Sequence, residues 1–297
     1  MSLNELGSHT VTTPDGRALE VVAAAGDGIA LVMHHGTPDS SHVYPPFVEE
    51  CAKRGVRLIT YSRPGYGAST RHEGRTVADC AADVAAVADA LGVGRLHTAG
   101  ASGGGPHALA VAALLGDRVV SAATVASVAP VAAEGLDWLD GMGQENVDEF
   151  AAIDAGPEAL ERFLEAAAPG LREATGEDIL AAIGEGLIGD ADRRALTGDV
   201  AEHFAQSTRH ALEPGIWGWF DDDVAFVEPW GFDLTSISVP LTIWHGADDR
   251  FVPIAHGRWL ASQLPRARTN MLDEHGHISL VTAYGDMVDD LLAARAS

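Results

Sequence analysis

Two cysteines in 297 residues, Cys51 and Cys80, are too few for a disulfide framework or a cysteine-rich metal site. Each falls in a helix-like run and is expected to be a small buried hydrophobe. Basic residues are also few. Nineteen Lys and Arg face 43 Asp and Glu, a formal net charge of −24. That balance argues against nucleic acid and anionic membrane as partners. No apolar stretch approaches the ~20 residues of a membrane-spanning helix. The segment Met1–Gly7 has neither the basic nor the apolar region of a secretory signal. Ser62–Gly67 is a glycine-rich loop without the lysine of a phosphate loop. No pattern calls for a cofactor. These absences set the expectation of a cytoplasmic protein acting on a small molecule.

What is present is apolar periodicity. The chain is 46% hydrophobic. Val11–Ala24 reads as two short strands around a turn at Pro14-Asp15-Gly16. Buried strands are expected at Ile29–Met33, Arg95–Ala99, Val119–Ala126 and Pro240–Trp244, and further strands at Val56–Tyr61 and Ala267–Leu272. Helices are expected at Ser41–Arg54, Thr76–Leu91, from Pro106 onward, Ile254–Leu264 and Tyr284–Arg295. In the second of these, Asp79, Asp83 and Asp89 are assigned to an outer face, and Gly92 to the C-cap. Regular strand–helix alternation means an α/β fold, a mostly parallel sheet with helices on both faces. Ligands of such sheets bind at the C-terminal strand ends.

The alternation breaks between about Val131 and Asp233. Residues 131–240 carry 24 acidic and five basic residues, so most of the net charge lies here. Helices are expected at Leu136–Ala152, Pro157–Ala168, Glu177–Ile188 and Asp192–Leu212, and no strand-like run appears. The division expected is a core of residues 1–130 and 236–297 and a helical cap of 131–235. Trp138, Trp217, Trp219, Phe220 and Trp230 are expected mostly to pack, with one or two lining a pocket. Asp221-Asp222-Asp223 reads as a solvated helix start rather than a calcium site.

The chemistry centres on Gly100-Ala101-Ser102-Gly103-Gly104, a G-x-S-x-G pattern between a strand and a helix. In that context the serine sits on a strained turn with its hydroxyl above the sheet. A serine hydroxyl needs a base, and the base an orienting acid. His275 and His277 follow the last strand, and Asp248 and Asp249 follow the one before. The order Ser…Asp…His is that of α/β hydrolases. His34-His35 ends an early strand and leads into Gly36-Thr37-Pro38. With no third ligand nearby, a loop reading is preferred to a metal site. The Thr37 N–H then faces an anionic oxygen.

Together with Arg63-Pro64-Gly65-Tyr66-Gly67, Gly246-Ala247-Asp248-Asp249, Val252-Pro253 and Gly276-His277, these motifs resemble the α/β-hydrolase superfamily. The likeness is to its capped serine hydrolases: bacterial esterases, cofactor-free haloperoxidases and proline iminopeptidases. The motifs cover both halves of the core and none of the cap. The resemblance implies Ser102 as nucleophile, Asp249 rather than Asp248 as acid, and His277 rather than His275 as base. It implies an oxyanion hole from the backbone N–H groups of Thr37 and Gly103, and no metal or cofactor. The substrate implied is a carboxylic ester. The alternatives are an iminopeptidase-like aminopeptidase, whose cap carboxylates hold a substrate ammonium, and a non-catalytic binding protein on the same fold. His-Gly-Thr-Pro and Ala101 depart from the iminopeptidase pattern.

Overall fold

The computed structural model describes residues 5–182 and 188–293. In chain order the strands are β1 (Leu6–Thr12), β2 (Ala18–Ala24), β3 (Ile29–His34), β4 (Val56–Tyr61), β5 (Leu96–Ala101), β6 (Val119–Val125), β7 (Leu241–Gly246) and β8 (Arg268–Leu272). Among the described residues they form one eight-stranded sheet in the order β1-β2-β4-β3-β5-β6-β7-β8. The β1–β2 hairpin joins antiparallel to β4, and every other pairing is parallel. The topology therefore places the ends of β3, β5 and β7 along one rim.

Alternation along β3 explains the layers. Leu31 and Met33 face α1 (Pro45–Lys53) and α11 (Tyr284–Ala293), packing with Phe47, Cys51 and Leu291. Ala30 and Val32 face the other side, where α2 (Cys80–Ala90), α3 (Gly104–Leu114) and α10 (Ile254–Gln263) supply Val84, Leu109 and Leu260. Each such aliphatic side chain, fully buried, contributes about 1.5–3 kcal/mol. Cys51 and Cys80 are buried free thiols. Among the described residues no helix is long and apolar enough to cross a membrane.

Among the described residues six helices lie between β6 and β7: α4 (Gln144–Asp154), α5 (Pro157–Glu173), α6 (Gly176–Ala182), α7 (Asp190–Ala195), α8 (Gly198–Ala211) and α9 (Trp217–Val227). They differ from the expected set. Residues 131–143 form turns, and helix begins only at Gln144. Gly135 and Gly141 hold positive φ there, which a helix does not allow. The third expected helix is seen over Gly176–Ala182, and residues 183–187 of the expected span lie outside the described residues. The fourth is split at Leu196-Thr197, where Leu196 is drawn into a cluster with Ile188 and Ile278. Helix α9 begins at Trp217, ahead of the helix start expected at Asp221.

Two acidic assignments are corrected. Asp83 does not lie on an outer face: it is buried and pairs with Arg17 of the hairpin turn at 2.7 Å. Asp221, Asp222 and Asp223 are not a solvated helix start. They lie mid-helix in α9 and are all buried, because Arg63, Arg71 and Arg75 of the core reach two of them.

Candidate active site

Ser102 follows β5 directly and holds φ 53°, one of two non-glycine residues with positive φ among those described. Such a conformation costs about 1–3 kcal/mol and persists only where neighbours impose it. Here the Ser102 N–H donates to Val125 O at 2.8 Å, and its carbonyl accepts from Gly105 N at 2.9 Å. That closes a strand–turn–helix. Its glycines are required by contact: a Cβ on Gly100 would collide with the Gly104 carbonyl, and one on Gly104 with the His34 carbonyl.

Thr37 and Gly103 line the same pocket as Ser102, with the Thr37 side chain close against Gly103, and neither backbone N–H donates elsewhere among the described residues. The Thr37 loop is held by Arg63. Its guanidinium donates to the carbonyls of His35 and Gly36, the latter at 2.7 Å, and to Thr37 Oγ1 at 2.9 Å. Thr37 Oγ1 in turn donates to Asp222 at 2.7 Å. Both ring nitrogens of His35 are occupied: Nδ1 donates to Gly36 O and Nε2 accepts the Arg63 N–H at 3.0 Å. Burial, then the charge of Arg63, pushes the His35 pKa well down, so the ring is neutral. Among the described residues, no cluster of three or more His, Cys, Asp or Glu is placed to hold a metal ion.

The other two candidates meet. His277 Nδ1 donates to Asp249 Oδ2 at 2.8 Å, and Asp249 Oδ1 accepts the N–H groups of Phe251 and Val252 at 3.0 and 2.8 Å. Asp249 is thereby fixed in a buried turn after β7. Asp248 is 40% exposed and faces Arg250 at 3.5 Å. The His275 carbonyl accepts from the Asp248 N–H at 3.0 Å, and its own N–H donates to Leu272 O at 3.3 Å. Burial alone would lower the His277 pKa. The charge of Asp249, their hydrogen bond and the charge of Asp192 outweigh it, and the pKa rises. Among the described residues no hydrogen bond joins the Ser102 hydroxyl to His277. The two are linked through Phe251, whose ring packs on His277 at 4.8 Å between centroids and lines the pocket that Ser102 opens into.

That pocket measures about 80 Å³. Met142, Phe150, Phe226 and Phe251 make it apolar, and Glu149 and Asp223 are its acidic wall. None of the expected aromatic residues lines it. Trp230 lines a separate surface groove, and Trp219 reaches the pocket wall only by donating to Glu149. Burial and then mutual charge hold the Asp223 pKa well up, and burial raises that of Glu149, with the two carboxyls in hydrogen-bonding reach.

Several of these residues escape sequence reasoning. Glu149 and Asp192 lie in the insertion, where no motif marks them, and Asp222 and Asp223 stand in a run that is visible in the sequence but reads as solvated. Arg63 carries a signal, its place in Arg-Pro-Gly-Tyr-Gly beside a loop at the strand ends.

Comparison with known proteins follows the same lines. Residues 29–284 match the family model described as the alpha/beta hydrolase fold. The chain is 30% identical to a non-heme haloperoxidase of Rhodococcus erythropolis over 274 residues, 90% of this chain and 92% of that one. It is 30% identical to a non-heme chloroperoxidase of Streptomyces lividans over 83% of this chain and 84% of that one. It is 29% identical to a bifunctional esterase/perhydrolase of Acinetobacter calcoaceticus over 76% of each. Among solved structures, a bromoperoxidase from Bacillus anthracis superposes with a TM-score of 0.69 at 20% identity, over 98% of this chain and 100% of that one.

Proposed function

The chain belongs to the alpha/beta hydrolase fold family, and we propose that it is a serine hydrolase cleaving esters of small carboxylic acids. The observation that carries this reading is Ser102, strained at φ 53° and opening into a small pocket that Thr37 and Gly103 also line, their backbone N–H groups unpaired among the described residues. Ser102 attacks the ester carbonyl and His277 takes its proton. Asp249 fixes the imidazole tautomer and stabilises the imidazolium. The N–H groups of Thr37 and Gly103 receive the oxyanion, each worth ~3 kcal/mol of barrier. His277 then protonates the leaving alcohol, and water releases the acyl group. The Ser102–His277 hydrogen bond closes in the substrate complex, as in other hydrolases whose catalytic bonds are open without ligand.

The pocket volume, about 80 Å³, is well under the roughly 300–1,000 Å³ of drug-sized ligand sites, and it supports a short acyl group. The test is a fluorophosphonate probe with a panel of aryl esters. Labelling and short-ester turnover are expected in wild type and lost in Ser102→Ala. A folded wild-type protein that neither labels nor turns over esters belongs instead to the ligand-binding reading.

One observation supports a second reading. Glu149 and Asp223 line the same pocket, and Asp223 Oδ2 has no donor among the described residues. An acyl group carrying an ammonium would supply one, as the likeness to iminopeptidases implies. Faster cleavage of an alanine aryl ester or proline arylamide than of the propionate ester would favour that reading. The names of the haloperoxidase and perhydrolase relatives also support a perhydrolase side activity, seen as acetate-dependent halogenation with peroxide.

A further inference from the structure

The loop that carries His277 is gripped from the insertion. Asp192, in α7, is completely buried. Its Oδ2 accepts the backbone N–H of His277 at 2.9 Å. Its Oδ1 accepts the Ser279 N–H and the Ser279 hydroxyl, each at 2.8 Å. The Ser279 oxygen accepts the Gly276 N–H at 2.8 Å, which ties the preceding residue into the same knot. Gly276 has to be glycine, because a Cβ there would press on the Asp192 carboxylate. Asp192 forms no ion pair with a basic side chain among the described residues. A buried carboxylate without a cation is costly unless several donors solvate it. Here the donors are the loop of the proposed base.

A second contact comes from the same short segment. Gly189 lies against the Asp248 carboxylate so closely that no Cβ fits between them. Asp248 immediately precedes Asp249. Ile188 and Leu196, on either side of α7, bury against Ile278, the residue after His277. One stretch of the insertion thus touches both loops that carry the acid and the base.

We infer that Asp192 is a positioning residue for His277: its carboxylate fixes the backbone of the base loop and places a fixed negative charge beside the imidazole. This rests on His277 being the base. The backbone bonds set where the ring stands between Asp249 and the serine. The charge favours the protonated ring, the form that His277 takes when it has accepted the serine proton. The charged groups facing His277 are Asp249 from the loop after β7 and Asp192 from α7, and Phe251 covers the ring face. His245 stands behind Asp249, with its pKa lowered by burial. Asp192 is one of the influences that lift the His277 pKa, so removing its charge lets that pKa fall.

Position and charge separate in two variants of the whole protein. Asp192→Asn removes the charge and keeps one oxygen for the loop amides. Ser279→Ala removes loop hydrogen bonds and leaves the charge. The kcat/KM of a short aryl ester is followed from pH 5 to 9, with circular dichroism and thermal unfolding to check folding. Asp192→Asn is expected to move the acidic limb down by about 0.5–1 pH unit and to lower kcat about tenfold with KM little changed. Ser279→Ala is expected to lower kcat and leave the limb in place. A folded Asp192→Asn with wild-type kcat and an unmoved limb overturns the assignment. Should Asp192→Asn fail to fold, Ser279→Ala decides: an unchanged kcat overturns it, and a lowered kcat with an unmoved limb upholds it. His277→Ala is measured alongside. Activity retained there removes the base assignment itself, whereas activity lost there with Asp192→Asn unaffected removes only the role of Asp192.

Discussion

Arg63 and Asp222, 159 residues apart in the chain, meet at 2.6 Å with neither side chain open to solvent. Asp222 also accepts from Arg75 at 2.6 Å and from the Tyr66 hydroxyl at 2.8 Å. Burial works to raise its pKa, but the two guanidiniums outweigh it and hold the carboxyl well below its usual range. Removing one partner of a buried pair leaves an uncompensated charge and typically costs about 3–5 kcal/mol. Asp222→Ala leaves two buried guanidiniums without their counter-ion. A fall in unfolding free energy of at least about 3 kcal/mol is expected from denaturant titration. A change under about 1 kcal/mol would mean that water replaces the carboxylate.

The strand–turn–helix around Ser102 gives a sharper prediction. In Gly104→Ala the new methyl group meets the His34 carbonyl, a backbone atom that cannot swing aside. Overpacking of this kind costs about 1–3 kcal/mol and moves the backbone. Fluorophosphonate labelling is expected to fall at least about tenfold, because a 1 Å displacement of a reacting group is worth more than that. Wild-type labelling in this variant would show that the strand and helix are not in essential contact.

Pocket size predicts selectivity. Met142 lines the Ser102 pocket and is only partly buried, so Met142→Ala enlarges the pocket with modest damage to the fold. One methylene of fit in an apolar pocket is worth about 1–3 kcal/mol. The ratio of hexanoate to acetate ester turnover is expected to rise about tenfold or more. A constant ratio would place the acyl chain elsewhere.

The pH profile follows from His277. A base must be neutral to accept the serine proton, and the His277 pKa lies above the ordinary 6.5. Activity should therefore rise with pH through an inflection above 6.5, and fall as pH drops below it. Asp249→Asn removes the main opposing charge and spoils the tautomer, with an expected loss of about 10⁴ in kcat. A loss under tenfold would put the orienting acid somewhere else.

The sequence discloses those parts of the fold whose causes are local. Strands such as β3 and β6 are short, largely apolar runs, and Gly100 to Gly104 carries within five residues the contacts that force the turn. The match to expectation is poorest where the cause lies far along the chain. Asp83 reads as exposed because Arg17, its partner, is 66 residues away. The Asp221–Asp223 run reads as solvated because Arg71 and Arg75, about 150 residues upstream, are what bury it. The true start of α9 is hidden for the same reason: three carboxylates amid apolar residues break the amphipathic pattern until their partners are known. In the insertion, Gly135 and Gly141, with positive φ, delay a helix that periodicity alone would start at Leu136.

Tyr66 shows what the insertion means for chain exchange. This core-loop residue is fully buried, and it packs in the same cluster as Leu160, Leu164, Leu212 and Trp219 of the inserted helices. The insertion therefore has no complete interior of its own. A chimera that grafts a relative's helices between β6 and β7 inherits an unfilled socket over Tyr66 unless the donor brings matching side chains. Recombination at this junction selects for segments that already fit the recipient, so new specificities should accumulate by point substitution inside the insertion more readily than by swapping it whole.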